Sequence, residues 1–177
     1  MTKTVALLAA IVVLAGCGGA AAPEPRTYDL GLEAPGAKLP PVRIGTVRAA
    51  PPFDGTDMQY RLAYRNAAEI AAFTASRWAA APAELFRKQL QRAAAESGKC
   101  TLAVEIQEFT QVFSAKDASE ARLELRASLS SGAARQFAVV EGNAGADAVG
   151  GAAALARAAN RAVGEMGGWI AAQPACR

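Results

Sequence analysis

The sequence predicts an α+β protein in which a largely antiparallel sheet carries two helices on one face. Short segments in both halves of the chain alternate apolar and polar residues, as half-buried strands do. Each group of these segments is followed by a longer one with apolar residues at helical spacing. Because the strands come in runs and not singly between helices, an α+β fold is favoured. The predicted order is β-β-β-α-β-β-β-α.

The chain opens with a targeting segment. Lys3 precedes an apolar run from Val5 to Leu14, which is shorter than the roughly 20 residues of a membrane-spanning helix. Residues 14–17 read Leu-Ala-Gly-Cys, which resembles the bacterial lipobox. That resemblance implies cleavage before Cys17 and covalent attachment of diacylglycerol and an N-acyl chain, such as palmitate, to this residue. An ordinary signal peptide whose cysteine is incidental is the alternative.

The residues after Cys17 predict how the domain is attached. Gly18 stands where an Asp would indicate retention in the inner membrane, so the outer membrane is favoured. Small residues and two prolines follow, which is typical of a flexible tether. We therefore predict a signal peptide at 1–16, a lipid-anchored tether at 17–26 and a single periplasmic domain at 27–177.

Three strands are predicted in the first half of the domain. The first lies around 42–47, and a proline-rich turn follows it. The second, at 58–64, alternates Met, Tyr, Leu and Tyr with polar residues and alanine. We expect these two strands to form a hairpin or to be near neighbours in one sheet. The third is a short strand at 69–75.

A first helix follows the third strand. Pro82 fits the first helical position, where its missing N–H has no cost, and Glu84 suits the positive N-terminal end. Apolar residues then recur on one side of the segment. Ser97 and Gly98 are predicted to end the helix, with Gly98 as its C-terminal cap.

The second half predicts a three-stranded antiparallel meander. The strand from Thr101 alternates until the parity slips at residues 107–108, which predicts a β-bulge there. The segment 121–129 alternates without interruption, and a short strand at 137–140 follows a Ser-Gly turn. Short polar turns join the three segments, as in antiparallel neighbours.

The last helix is predicted from an N-cap at Asp147 to about Ala172. It contains several glycines, each of which costs up to about 1 kcal/mol relative to alanine inside a helix. This helix must therefore be held by packing. Its predicted inward residues recur at helical spacing: Val149, Ala153, Ala156, Asn160, Val163, Met166 and Ile170.

The composition excludes several classes of function. The 177 residues carry a net charge of only +3, which does not favour binding to nucleic acid. The chain has no histidine, which removes Ser-His-Asp and Cys-His catalysis and imidazole metal ligands. The carboxylates are scattered, and the sequence has no phosphate-binding loop or metal-ligand cluster. We expect a protein that is not an enzyme and that binds no metal or other cofactor.

A few residues remain as candidates for sites. Cys100 and Cys176 are expected to form a disulfide in an oxidising compartment, with two independent buried thiols as the alternative. Arg77 and Trp78 form either a contact for a partner or a cover over the edge of the core. A charged stripe on the predicted strands is either an interface or a solvated sheet face: Arg61, Arg65, Arg122, Glu124 and Arg126.

The order of these features resembles a known family. After the lipobox come Tyr-Asp-Leu-Gly at 28–31 and VRIGTVRAAPPFDGTDMQYR at 42–61. Arg77-Trp78-Ala79 follows, with Pro82 and leucines in the first helix. Together they resemble the ABC-type transport auxiliary lipoprotein family, the PqiC-like group.

The resemblance implies a periplasmic subunit anchored to the outer membrane through its lipid. It would act with an inner-membrane ABC permease and ATPase and with an MCE-domain protein to move lipid or another apolar solute between the membranes. It would act by docking, without catalysis, and could form a homo-oligomeric ring. The first alternative is an outer-membrane assembly lipoprotein of the pilotin or lipopolysaccharide-insertion-partner type. A lipoprotein hydrolase is the second, which the absence of histidine disfavours.

Overall fold

A computed structural model shows a seven-stranded mixed sheet that carries the main helices on one face. The structure describes residues 24–32, 35–95, 97–142 and 144–176. The strands are β1 (Arg26–Tyr28), β2 (Arg43–Ala49), β3 (Asp57–Leu62), β4 (Ala71–Trp78), β5 (Thr101–Phe113), β6 (Ser119–Leu129) and β7 (Ala134–Glu141). The helices are α1 (Ala63–Asn66), α2 (Pro82–Ala93) and α3 (Ala148–Ala171), and a 3-10 turn spans Pro174–Cys176.

The predicted α+β class, with two helices on one face of the sheet, is confirmed. The six predicted strands correspond to β2 to β7, and the two predicted helices are α2 and α3. Two short elements were not predicted. The three-residue strand β1 pairs with the end of β4, and α1 occupies a single turn after β3. Both are too short to leave a periodic pattern in the sequence.

The sheet is ordered β1-β4-β3-β5-β6-β7, and β2 also pairs with β5. β2 and β3 do not form the predicted hairpin. Each pairs in parallel with β5, β2 beside Thr101–Ile106 and β3 beside Thr110–Phe113. The turn between them therefore carries the chain along the edge of β5 without reversing it. The prediction that they are neighbours in one sheet is correct.

The antiparallel meander β5-β6-β7 is confirmed, and it forms the longest ladders of the sheet. Its register shifts between Ile106 and Glu108, at the predicted bulge. The shift restores alternation, so that Ile106 and Phe109 are both buried. Gly132 lies in the β6–β7 turn with a φ of 94°, a conformation that glycine adopts without steric cost.

The ends of three elements differ from prediction. β3 stops at Leu62, so Tyr64 lies in α1 and not in the strand, and its side chain is 42% exposed. β4 runs further than predicted, to Trp78. Helix α2 ends at Ala93, whose carbonyl accepts a hydrogen bond from the Leu39 N–H at 2.9 Å, and Ala94 is already extended. A Cβ on Gly98 would collide with the backbone of Pro41 and Val42, so this glycine permits a close crossing of two chain segments and does not cap the helix.

Helix α3 begins as predicted. Asp147 is its N-cap and accepts a hydrogen bond from the Gly150 N–H at 2.8 Å. The predicted inward face is right for the C-terminal half of the helix and wrong for the first turns, where Val149 and Ala153 are exposed. Small residues there let α3 approach the sheet closely. A Cβ on Gly151 would collide with the Gln111 side chain of β5.

The core lies between the sheet and the two long helices. Trp78 at the end of β4 packs against Phe109 of β5, with ring centroids 5.3 Å apart. Phe137 of β7 meets Trp169 of α3 edge to face at 5.8 Å. Helix α2 lies on β2 and α3 lies on β6 and β7, and the two helices contact each other. Neither long helix lies on the opposite side of the sheet, where the single turn α1 borders the charged side chains of β3, β5 and β6.

Candidate functional site

The predicted lipidation site lies outside the described residues. The predicted signal peptide at 1–16, Cys17 and most of the predicted tether fall within the first 23 residues, and the structure describes the chain from Glu24. Strand β1 begins at Arg26, one residue before the predicted start of the domain. The lipid anchor therefore stays a prediction from sequence.

Cys100 and Cys176 are joined by a disulfide with a Cα–Cα distance of 5.1 Å. Cys100 immediately precedes β5, and Cys176 lies in the 3-10 turn after α3. The bond spans 76 residues of sequence and fixes the end of the last helix to the start of the central strand. Both residues are buried.

Trp78 is not a surface contact, so the interface proposed for Arg77 and Trp78 is wrong for the tryptophan. Only 1% of Trp78 is exposed, because β4 continues to this residue and turns its ring towards Phe109. The alternative, a tryptophan that covers the edge of the core, is the correct interpretation. Arg77 alternates to the other side and is exposed. Trp169 is also buried.

The charged residues gather on the side of the sheet turned away from α2 and α3, which we call the open face. Alternation along β5 and β6 sends the apolar side chains to the helices and the polar ones to this face. Arg65 of the predicted stripe lies on α1 and not on a strand of this face. The charged members of the open face are Arg48, Arg61, Glu105, Glu108, Glu120, Arg122, Glu124 and Arg126.

The least exposed ion pair of the open face joins Arg61 of β3 to Glu108 of β5. The guanidinium donates two hydrogen bonds to the carboxylate, Nε to Oε1 at 2.8 Å and Nη2 to Oε2 at 2.9 Å. Thr110 donates a third from its hydroxyl to Oε1 at 2.6 Å. The Arg61 Nη1 also donates to the carbonyls of Ala67 and Ala68, which fixes the loop between α1 and β4. This paired fork geometry is specific to arginine.

The bulge explains why this pair forms. It places Glu108 beside Glu124 of β6, so two like charges face each other across the ladder. Arg61 compensates for this repulsion. Its hydrogen bonds to Glu108 and the charges of Glu108 and Glu124 raise the pKa of Arg61 above its already high ordinary value, against a smaller opposing effect of burial. The arginine is charged at every physiological pH.

A second charged group lies nearer the start of β5. Arg48 of β2 forms an ion pair with Glu105 at 3.1 Å, and Arg126 of β6 is the cross-strand neighbour of Glu105. These residues, with the hydroxyls of Thr46 and Ser128, line a shallow cleft of about 250 Å³. A cleft of about 350 Å³ surrounds the Arg61–Glu108 pair. The open face therefore presents hydrogen-bond donors and acceptors of both charges in two neighbouring clefts.

Three further findings concern the described part of the chain. It contains no group of three or more Cys, Asp or Glu side chains placed to hold a metal ion. None of its helices is both long enough and apolar enough to cross a membrane. A mostly apolar cleft of about 350 Å³ lies beside the disulfide, between Pro40, Pro41 and the end of α3.

The sequence pointed to some of these residues and missed others. Arg61, Arg122, Glu124 and Arg126 were predicted on one charged stripe, and the structure brings them to the open face. The predicted stripe did not include Arg48 or Glu108. The predicted bulge could have placed Glu108 on this face. A shift of parity at 107–108 puts Glu108 on the same face of the sheet as Glu105.

No family model matches the chain, and neither does any curated protein. Two solved structures share its fold. A crystal structure of a Xanthomonas campestris protein described with the family model DUF330 is 21% identical, with a TM-score of 0.68 over 81% of this chain and 94% of that one. A second crystal structure, described only as an uncharacterized protein, is 15% identical, with a TM-score of 0.62 over 83% and 99% of the two chains. The likeness at these identities establishes the fold.

Proposed function

We propose that this chain is an outer-membrane-anchored auxiliary subunit of an ABC/MCE-type system that moves lipid or another apolar solute between membranes. The supporting observation is the combination of a lipobox at residues 14–17 with a fold shared over nearly the whole length of a DUF330 structure. In this proposal the subunit docks onto an MCE-domain protein and performs no chemistry.

The open face is the proposed docking surface. Arg61 and Glu108 are held together by two hydrogen bonds, so ordering these two side chains on binding would cost little entropy. Mixed charges favour a polar protein surface over an anionic membrane or nucleic acid, since both signs are present in each cleft. The lipid anchor would keep this surface close to the bilayer, because the nine residues from Cys17 to Arg26 span at most roughly 30 Å.

A change of Cys17→Ala tests the anchor. We expect the wild-type chain in the outer-membrane fraction, with a lipid-modified N-terminal Cys17 in its mass spectrum. The variant should leave that fraction. An unmodified wild-type N-terminus, or the same fractionation for both chains, would refute lipidation.

Co-purification tests the partner. The tagged full chain, extracted from membranes in mild detergent, should retain an MCE-domain protein. An outer-membrane assembly lipoprotein would instead retain a β-barrel or secretin. Recovery of the barrel or secretin without an MCE-domain protein would favour the alternative.

A further inference from the structure

Strand β7 has one free edge. It pairs with β6 along Ala134–Glu141, and no strand in the described ranges lies on its other side. Leu129 N–H donates to the Ala133 carbonyl at 2.8 Å, and the ladder continues from this hydrogen-bonded pair. Odd-numbered residues of β7 therefore bond to β6. The even-numbered residues direct their N–H and C=O groups outwards.

The free edge of β2 is protected, and that of β7 is not. Arg87 of α2 donates to the outer carbonyls of Gly45 and Val47 at 2.9 and 3.4 Å. On β7 the Val140 carbonyl is the only one that accepts a side-chain bond from a described residue, Arg161, at 3.3 Å. β7 contains no proline, and the outward backbone groups of Gln136 and Ala138 have no partner among the described residues. An eight-residue edge of this kind is a template for another strand.

We propose that β7 pairs with β7 of a second copy of this chain, antiparallel, around a two-fold axis at Ala138. The outward groups of Gln136, Ala138 and Val140 would then complete a ladder between the copies. The two sheets would become one continuous sheet, with the helices of both copies on the same side.

Charge selects this register. It places Arg135 opposite Glu141 of the second copy at both ends of the paired segment. Phe137 lies opposite Val139 on the helix side. Moving the pairing by two residues in either direction places a charged end, Arg135 or Glu141, against an apolar residue and loses both ion pairs. The side chain on the axis, Ala138, is small and exposed, so it leaves room for its copy. The 37% exposed Val140 would also be covered by Gln136 of the second copy.

A pair of single cysteine variants tests the axis. In a hydrogen-bonded antiparallel pair the Cα atoms lie about 5.5 Å apart, which is within the range of a disulfide. Ala138→Cys in the full chain, oxidised in membranes, should therefore cross-link to a dimer on a non-reducing gel. Gln136→Cys is the matched control, on the same strand and face, and its copies would be about 13 Å apart. Equal cross-linking of the two variants, no dimer with Ala138→Cys, or cross-linking of Ala138→Cys only to a different protein would overturn the proposal.

Reversing the charges tests the register. In the Ala138→Cys background, Arg135→Glu should lower the dimer yield several-fold, because Glu then faces Glu. Glu141→Arg should also lower the dimer yield, because the new arginine then lies opposite Arg135 of the second copy. Co-expressing the two variants restores opposite charges at both ends and should recover the mixed dimer. Unchanged yields, or no recovery on mixing, would contradict the register. Glu141 also pairs with Arg157 and Arg161, so the Glu141→Arg variant could lose stability. Melting curves check whether Glu141→Arg is folded. If it is unfolded, the Arg135→Glu variant alone decides the test.

Discussion

At the residue scale, the contact between Arg61 and Glu108 determines how the open face is arranged. The exposed fractions of their side chains are 19% and 14%, far lower than those of the other ion pairs on this face. Glu108 accepts from both Arg61 and Thr110, so removing its carboxylate leaves several donors without a partner. The pair holds β3 against β5 and also fixes the loop that leads into β4.

We predict that Glu108→Ala lowers the free energy of unfolding by about 1–3 kcal/mol, because the partly buried Arg61 loses its carboxylate. Glu120→Ala is the control, since its pair with Arg122 is more exposed and should contribute at most about 1 kcal/mol. Urea unfolding followed by circular dichroism measures both. Equal losses in the two variants would show that the Arg61–Glu108 pair does not stabilise the fold in this way.

Glycines of α3 give a second prediction at this scale. A Cβ on Gly150 would collide with the carbonyl of Ala144, whereas a Cβ on Gly168 meets nothing within 4 Å. Gly150→Ala should therefore destabilise the protein by about 1–3 kcal/mol. Gly168→Ala should stabilise it by up to about 1 kcal/mol, since alanine favours the helix. Thermal melting of the two variants compares the signs, and a shift in the same direction for both would contradict this account of the helix.

At the element scale, prediction from sequence succeeded where a single periodicity governs a long segment. β6 alternates without interruption, and both its extent and its faces follow from that pattern. The change of parity in β5 correctly predicted its bulge, and Asp147 correctly predicted where α3 begins. Prediction failed where a distant contact decides. Helix α2 ends at Ala93, where Leu39 from a distant segment bonds to its last carbonyl, and Gly98 packs against Pro41 instead of capping the helix. Trp78 is buried because β4 extends to this residue and its ring packs against Phe109. β2 and β3 are parallel neighbours of β5, which no local pattern in either strand encodes.

The disulfide is the strongest link between two elements that are distant in sequence. Cross-linking residues separated by 76 positions stabilises a fold by about 4–5 kcal/mol in the chain-entropy model. Replacing Cys100 and Cys176 together by alanine should lower the melting temperature markedly. Reductant should lower that of the wild type by a similar amount and leave the double variant unchanged. A double variant with the same melting temperature as the oxidised wild type would contradict this role of the disulfide.

At the scale of the whole molecule, the two faces of the sheet have different roles in the fold. One face packs against α2 and α3 and forms the apolar core, and the other face carries charged side chains of both signs. Little of the open face could be predicted as a unit, because its members come from β2, β3, β5 and β6 and meet only through the long-range pairing of those strands. The sequence did predict which strand residues are charged on one side. It could not show that Glu108 and Arg61 meet.

The central claim is the proposal that the open face of this chain docks onto an MCE-domain protein. A photo-cross-linking amino acid introduced in place of Arg126, on the open face, tests it most directly in the full chain in intact cells, with Lys88 on α2 as an equally exposed control position. We expect mass spectrometry to identify an MCE-domain protein among the cross-linked products at position 126 and not at position 88. A β-barrel or secretin at position 126, or the same products at both positions, would contradict the claim.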